Sequence, residues 1–404
     1  MKKDTLLQLA DDIEVSLHRG RVTVESGGQR VTLSDKALAL LHAFSTPRTL
    51  EQALAELKHV VQGRWSWIQL TGEASQLASA GVLRPVDGAP IDLRTHPGRF
   101  DSADVHIRML DDVPRTECYR EALRRTIRPG DIVVDVGTGT GILAASAAQA
   151  GAAHVFAIER SPNTAKLAQR FFADNGLQER ITVIEGASTA VQLPRKANVM
   201  VSEVVGNDPL DEGIVQTTQD AVVRLLEPDA RLIPGRLRIF ALPLEVPVTI
   251  RHRHFFSADH IERWRDAYGL DFGVYRDANR QHAGDTLLST GKTRDWPRLC
   301  EPVLVADVDL YTAQTDVLAS THGFRAERDG MLSGVLVFFE LDMGQGLIYS
   351  IHPDIAGDDN HWASKLWLPP EEIPLAAGEE WEMGYRFDRK AFSQFTFAKV
   401  ASPL

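Results

Sequence analysis

Apolar residues along this chain follow three different rhythms. From residue 13 to about 85 the runs are short: Val22 to Glu25 and Arg30 to Thr32 alternate around Gly27-Gly28, which predicts a hairpin. Ser34 then predicts the cap of a helix carrying Leu38, Leu41 and Phe44. Thr49 and Gln52 have capping-box spacing ahead of Leu50, Ala53, Leu54 and Leu57, and a third helical stretch passes through Ile68 and Leu77 to Gly81. Residues 87–102, DGAPIDLRTHPGRFDS, have the proline and glycine density of a linker, so a boundary is expected near residue 90.

From 131 to about 228 strand-length runs alternate with helical periodicity: DIVVDV, a helix from Ile142 to Ala150, HVFAIE, a helix from Thr164 to Asp174, ITVIEG and NVMVSE. That alternation predicts a parallel sheet with crossover helices. After Pro228 come short apolar runs such as RLRIFALPLEV and LSGVLVFFELDM, broken by Gly, Pro and Asp, which predict a mostly β region. Inside it HIERWRDAYGLDF, 260–272, reads as an aromatic helix. The expected fold class is α/β, a Rossmann-like domain with a parallel sheet, followed by a β domain and preceded by a small α+β domain.

Composition narrows the class. A chain of 404 residues exceeds one ordinary core, and 44 % hydrophobic with 25 % charged residues is a globular balance. The net charge of -11 disfavours nucleic-acid phosphates and suits a cationic partner. Cys118 and Cys300 form no CxxC or Cys/His spacing, so neither a disulfide framework nor a metal site is expected. The N-terminal MKKDTLLQLADDIEV is broken by acids too early for a secretory signal, and no uncharged run reaches the roughly 18 to 20 residues of a membrane span. A cytoplasmic protein without membrane contact is the expectation.

The chemistry starts at DIVVDVGTGTGIL. Gly137, Gly139 and Gly141 are spaced G-x-G-x-G, not the G-x-G-x-x-G of a dinucleotide turn, and no lysine follows as in a phosphate loop. With Asp135 before the turn and Glu159 ending the next strand, where it would hold ribose hydroxyls, the arrangement suits S-adenosylmethionine. Further along, SEVVGNDPLDEG places Glu203, Asp208, Asp211 and Glu212 at the C-terminal edge of the sheet with no neighbouring base to pair them. Two converging carboxylates there would suit a guanidinium, whose planar fork takes paired hydrogen bonds. A solvated acidic loop is the bland alternative.

With these motifs in place the chain resembles the protein arginine methyltransferases over roughly residues 98 to 400. VVDVGTGTGILAASAAQAGAAHVFAIE is similar to the family's cofactor segment, and SEVVGNDPLDEG to its double-glutamate loop, with Glu203 and Glu212 as the pair. MLDDVPRTECYR is similar to the segment ahead of the first strand, which implies Arg115 as partner of the cofactor's carboxylate and His106 and Met109 as its neighbours. NHWASKLWLPPEEIP is similar to the threonine-histidine-tryptophan loop; this implies an Asp112–His361 pair and Trp362 beside the substrate. The resemblance further implies a β-barrel with an inserted arm, about 256–296, that makes a homodimer. There are departures: Ala103 lies where the family carries tyrosines, Asn360 replaces the threonine, Val204-Val205 follow the first glutamate, and Ser188-Thr189 replace an acid, which passes adenine contact to Ser188 or to the backbone.

Residues 13 to 85 are similar to small winged-helix domains of the PqqD type, which implies recognition of a leader peptide by strand addition. The division expected is thus 1–90 peptide-binding, 91–235 cofactor-binding and 236–404 β-barrel. The function expected is transfer of methyl from S-adenosylmethionine to an arginine of a peptide or protein, a ribosomal precursor peptide in particular. A histidine or small-amine acceptor and a non-catalytic cofactor- or peptide-binding protein are the alternatives.

Overall fold

The computed structural model describes residues 6–18, 21–27, 29–34, 37–57, 70, 73–74, 77–78, 81–86, 103–275, 283–314, 317–357, 360–388 and 392–400. It divides into two compact units, Met1–His106 and Ile107–Leu404.

In the first unit β1 (Leu7–Leu9) pairs with β5 (Leu83–Pro85), and β2 (Glu14–His18), β3 (Arg21–Ser26) and β4 (Gln29–Ser34) form an antiparallel sheet in that order. Ser26 lies opposite Gln29, so β3 and β4 pair as the hairpin expectation requires; Gly28 lies outside the described residues. Val22 and Val24, two apart on β3, both point into a core shared with Leu40, Phe44, Leu54, Leu77 and Leu83. Helix Leu50–Glu56 carries the complete Thr49/Gln52 capping box. Helix Ala37–Ala43 differs from expectation at its start: Ser34 closes β4, three residues upstream. Ile68 lies outside the described residues, while Leu77 and Ala78 are helical and Gly81, at φ +71°, ends the turn.

The second unit contains a five-stranded, all-parallel sheet. Its strands are β6 (Ile132–Val136), β7 (His154–Glu159), β8 (Ile181–Glu185), β9 (Ala197–Ser202) and β10 (Leu226–Ile233), in the order β10-β9-β6-β7-β8. Helices cover both faces, which is why β6 is buried at every position. The chain builds outward from β6 through β7 to β8 and then returns to β9 on the other side of β6. The resulting switch point lies between β6 and β9, and ligands bind at such points, beyond the carboxyl ends of the strands. The glycine turn follows β6, and the acidic loop follows β9.

The rest of the unit is antiparallel: β11 (Arg236–Leu244), β12 (Gly284–Ser289), β13 (Val303–Asp309), β14 (Leu318–Arg325), β15 (Gly330–Leu332), β16 (Gly334–Asp342), β17 (Ile348–Ser350), β18 (Ala363–Leu368), β19 (Ile373–Leu375), β20 (Glu380–Asp388) and β21 (Phe392–Lys399). The six-stranded sheet runs β12-β18-β16-β11-β13 with β17 on β16, while β14-β20-β21 and β15-β19 form sheets of their own. The expected closed barrel is therefore corrected to a β-rich region of separate sheets: among the described residues the ladders do not join into one ring. Helix Ala258–Tyr268, capped by Ser257 and ended by Gly269, is the aromatic helix expected at 260–272. The expected arm, 256–296, extends through 276–282, which lie outside the described residues.

Gly141 shows how tightly the turn is built. It has φ +88°, and a Cβ there would lie 2.6 Å from the Phe172 ring. Gly141→Ala should therefore cost roughly 2–5 kcal/mol, combining left-handed strain with overpacking. Urea midpoints measure this, and an unchanged midpoint contradicts the packing described.

Candidate active site

Three segments meet at the switch point. In the turn, all three glycines have positive φ, a region closed to most side chains. Gly137 and Thr138 donate their amides to Ile158 O, and Gly139 donates to Glu159 Oε2 at 2.9 Å. Glu159 also accepts from Ser161 N at 2.8 Å, so its carboxylate holds the ends of both loops. Asp135 is fully buried and accepts from Thr138 Oγ1 at 2.6 Å. Burial pushes its carboxyl up to about 7, outweighing the Thr138 bond, and the charges of Glu159 and Glu203 add to the rise.

The second segment enters through helix Val113–Thr126. Asp112 caps it, one oxygen accepting from Arg115 N (3.1 Å) and the other from His361 N (2.9 Å). The expected Asp112–His361 pair is present, and the contact is made by the histidine's backbone amide. One turn into the helix, Arg115 donates to Glu203 Oε2 at 2.9 Å and to Met109 O at 2.6 Å. Both charged side chains are almost out of water, 5 % exposed for Arg115 and 7 % for Glu203. Burial raises the Glu203 carboxyl above the usual range, and Arg115 only partly offsets this. His106 lies on helix Ala103–Asp111 in the first compact unit; the residues brought together here belong to the second.

The acidic loop is the third segment. It folds back tightly enough that a Cβ on Gly206 would lie 1.4 Å from Asp211 Oδ1 and 3.1 Å from Glu212 Cγ. A side chain at 206 would have to displace the Asp211 carboxylate, and Glu212's stem is brought against a residue three positions from Glu203. The segment beginning at Asn360 stitches the loop from outside. Trp362, 1 % exposed, donates from its indole to Val205 O at 2.6 Å, and Ala363 N donates to Asn207 Oδ1 at 2.8 Å. The Arg115 guanidinium lies 5.8 Å from the Trp362 ring centroid. Asn360 stands in for threonine competently, accepting from Trp362 N and donating to Tyr349 Oη.

One sequence expectation changes here. Asp208 was grouped with acids lacking a base, but it is buried against Lys365 Nζ at 3.1 Å. Its partner lies 157 residues away, and the only local signal was a lysine inside the buried strand ASKLWL. Ser188, expected at the adenine, uses its carbonyl to accept from Arg224 Nη2 at 2.6 Å. Its hydroxyl is not needed for that bond.

Comparison with known proteins agrees with this geometry. The family model for ribosomal protein L11 methyltransferase (PrmA) matches residues 114–234. The arginine N(omega)-methyltransferase of Streptomyces achromogenes subsp. streptozoticus is 31 % identical over 284 residues, 68 % of this chain and 73 % of that protein. Protein arginine N-methyltransferase 1 of Schizosaccharomyces pombe is 30 % identical over 292 residues, 69 % of this chain and 81 % of that one. The chain belongs to the protein arginine methyltransferase family. Like its relatives, this methyltransferase uses S-adenosylmethionine. Its fold is similar to that of the Trypanosoma brucei PRMT1 enzyme-prozyme heterotetrameric complex with AdoHcy (TM-score 0.63, 22 % identity, 75 % of this chain and 99 % of that). It is also similar to Arabidopsis thaliana protein arginine methyltransferase 10 (TM-score 0.58, 20 % identity, 74 % and 98 %).

The residues present fit that cofactor. Among the described residues Arg115 Nε–H is buried with no hydrogen-bond partner, and a Cβ on Gly137 would close to 3.3 Å from Val204, in the space between turn and loop.

His361 gives a pH prediction. Burial, then the charges of Arg115 and Arg108, push its ring down to about 4 from 6.5. A depressed folded value means the stability it contributes is complete above about pH 6.5 and lost as pH falls towards 4. His361→Gln should flatten that part of the acid-unfolding profile, by up to ~3 kcal/mol. A ring titrating at its ordinary value in the folded protein, read by NMR, contradicts this.

Proposed function

We propose that the enzyme methylates a terminal guanidinium nitrogen of an arginine in a peptide, a ribosomally made precursor recruited by the N-terminal unit. The Arg115–Glu203 contact carries this reading. Arg115 occupies Glu203 Oε2 and so leaves Oε1 as acceptor for one guanidinium nitrogen, while Glu212, folded back across Gly206, takes another. S-adenosylmethionine supplies an electrophilic methyl; Gly137, Gly139, Glu159, Asp135, Met109 and Arg115 are the residues that would hold it, with Gly141 and Ser188 in supporting roles. Two carboxylates on two nitrogens draw the guanidinium charge towards themselves and leave the third nitrogen with more lone-pair character. Raised by burial, Glu203 is also suited to accept the proton released as the N–C bond forms. Trp362 walls the acceptor, and Val204 and Val205 leave that wall smaller than bulkier residues would.

The N-terminal unit supports recruitment through β2, an edge strand whose Val15 and Leu17 are 44 % and 62 % exposed. Addition of a leader strand there would cover both. On this reading residues 1–90, 91–235 and 236–404 are the peptide-binding, cofactor and β-rich domains. Homodimerisation through the arm is supported by the exposed Tyr268, Leu270 and Val274 around the Trp264–Phe272 ring contact. No described helix is long and apolar enough to cross a membrane.

Two outcomes test this. Glu203→Gln should lower arginine methylation at least roughly 100-fold while S-adenosylhomocysteine still binds; a wild-type rate removes the clamp, and methyl groups found on histidine by fragmentation replace the arginine reading. Because the Glu203 carboxyl is raised and must be ionised to hold the cation, the rate should fall with falling pH from above the ordinary glutamate value of 4.5. An acid limb at or below that value argues against it. For recruitment, removal of residues 1–90 should weaken precursor binding without changing turnover of a short arginine peptide, and undiminished binding discards the leader role.

A further inference from the structure

Between the two glutamates of the loop lies a carboxylate that the clamp does not use. Asp208 Oδ2 accepts from Lys365 Nζ at 3.1 Å and from Ser393 N at 2.8 Å, and Oδ1 accepts from Ser393 Oγ at 2.6 Å. The Asp208 and Lys365 side chains are 5 % and 4 % exposed. Lys365 reaches a second acid, Asp285 Oδ2 on β12, at 3.2 Å, and its Nζ lies 5.2 Å from the Phe392 ring centroid. Phe392 has φ +56°, a left-handed conformation unusual for an aromatic residue, immediately before Ser393. Strands β18 and β21 therefore meet at this carboxylate, and β12 joins them through Asp285 on Lys365.

A buried ion pair is a poor way to add stability, since both charges lose their hydration and an apolar pair of equal volume often serves as well. What it does give is fixed direction. The loop has one end held by Arg115 on Glu203, and its other end turns at Asp208, where Asp211 N donates to Asp208 O at 2.8 Å and Gly213 N to Leu210 O at 3.2 Å. Glu212 thus hangs from the Asp208 turn. We propose that the Asp208–Lys365 pair sets Glu212 against Glu203, which makes Lys365 a positioning residue for methyl transfer. This rests on the reading of Glu203 and Glu212 as the acceptor clamp. Lys365 acts from β18, behind the loop, through Asp208, so loosening it displaces the second glutamate and leaves the glycine turn and Arg115 in place.

The test uses the full-length protein, S-adenosylmethionine and one arginine peptide selected by wild type from a degenerate library. Lys365→Met should lower the saturated rate roughly 30-fold or more, the scale expected when a reacting group is misplaced by about an ångström. Affinity for S-adenosylhomocysteine should stay within about twofold, and Lys365→Arg, which keeps the charge, should retain most of the rate. Full rate in Lys365→Met, or a loss of cofactor affinity in parallel with rate, overturns the proposal. Should Lys365→Met fail to fold, Asp208→Asn, whose amide oxygen can still accept from Ser393 N while its NH2 donates to Ser393 Oγ, removes the charge and gives the same readout; if neither variant folds, the pair is structural and the proposal falls. Glu203→Gln measured alongside separates the two claims: a fast Glu203→Gln removes the clamp and this inference with it, while a slow Glu203→Gln beside a fast Lys365→Met removes only the inference.

Discussion

The buried contact between Arg115 and Glu203 governs the site. Two opposite charges at 2.9 Å, each almost removed from water, make a costly arrangement unless surrounding groups complete their hydrogen bonds. Much of the neighbourhood can be understood as that completion. Met109 O takes one guanidinium nitrogen, Asp112 caps the helix at Arg115's own amide, and Trp362 lies beside the guanidinium while its indole ties down Val205. Removing either charge would strand the other in a low-dielectric pocket.

Placement of the pair follows from topology. The order in which the chain adds strands reverses between β6 and β9, which puts the glycine turn and the acidic loop side by side, and helix Val113–Thr126 carries Arg115 to the same end. The β-rich region contributes through one segment. Asn360 to Lys365 makes four successive ties: His361 to Asp112, Trp362 to Val205, Ala363 to Asn207 and Lys365 to Asp208. A loop of acids that would repel one another in isolation is thereby held in one conformation. The same crowding accounts for the shifted protonation of Asp135, Glu203 and His361, since each is short of water and near other charges.

What was legible in the sequence was local. Continuous apolar runs ending in Asp135 and Glu159, and glycines at every second position, state their strand and turn conformations within a few residues, and β7 runs over the very residues HVFAIE. The Thr49–Gln52 capping box needs only four residues and is present. Contacts across long separations were not legible. Nothing near Asp208 marks Lys365 or Ser393 as its partners, and strand periodicity states that a β region exists without stating which edges pair, so a barrel was expected where separate sheets are found. The Asp112–His361 link illustrates the limit in one contact: the residues were identified, while the atoms that meet depend on a cap geometry set by the folded helix.

The most direct measurement is a crystal structure of the enzyme with S-adenosylhomocysteine and an arginine peptide. The predicted result has Arg115 still on Glu203 Oε2, the guanidinium bridging Glu203 Oε1 and the Glu212 carboxylate, and its third nitrogen facing the sulfur. A guanidinium bound away from the loop, or a Glu203 with both oxygens turned onto Arg115, would contradict the carboxylate clamp.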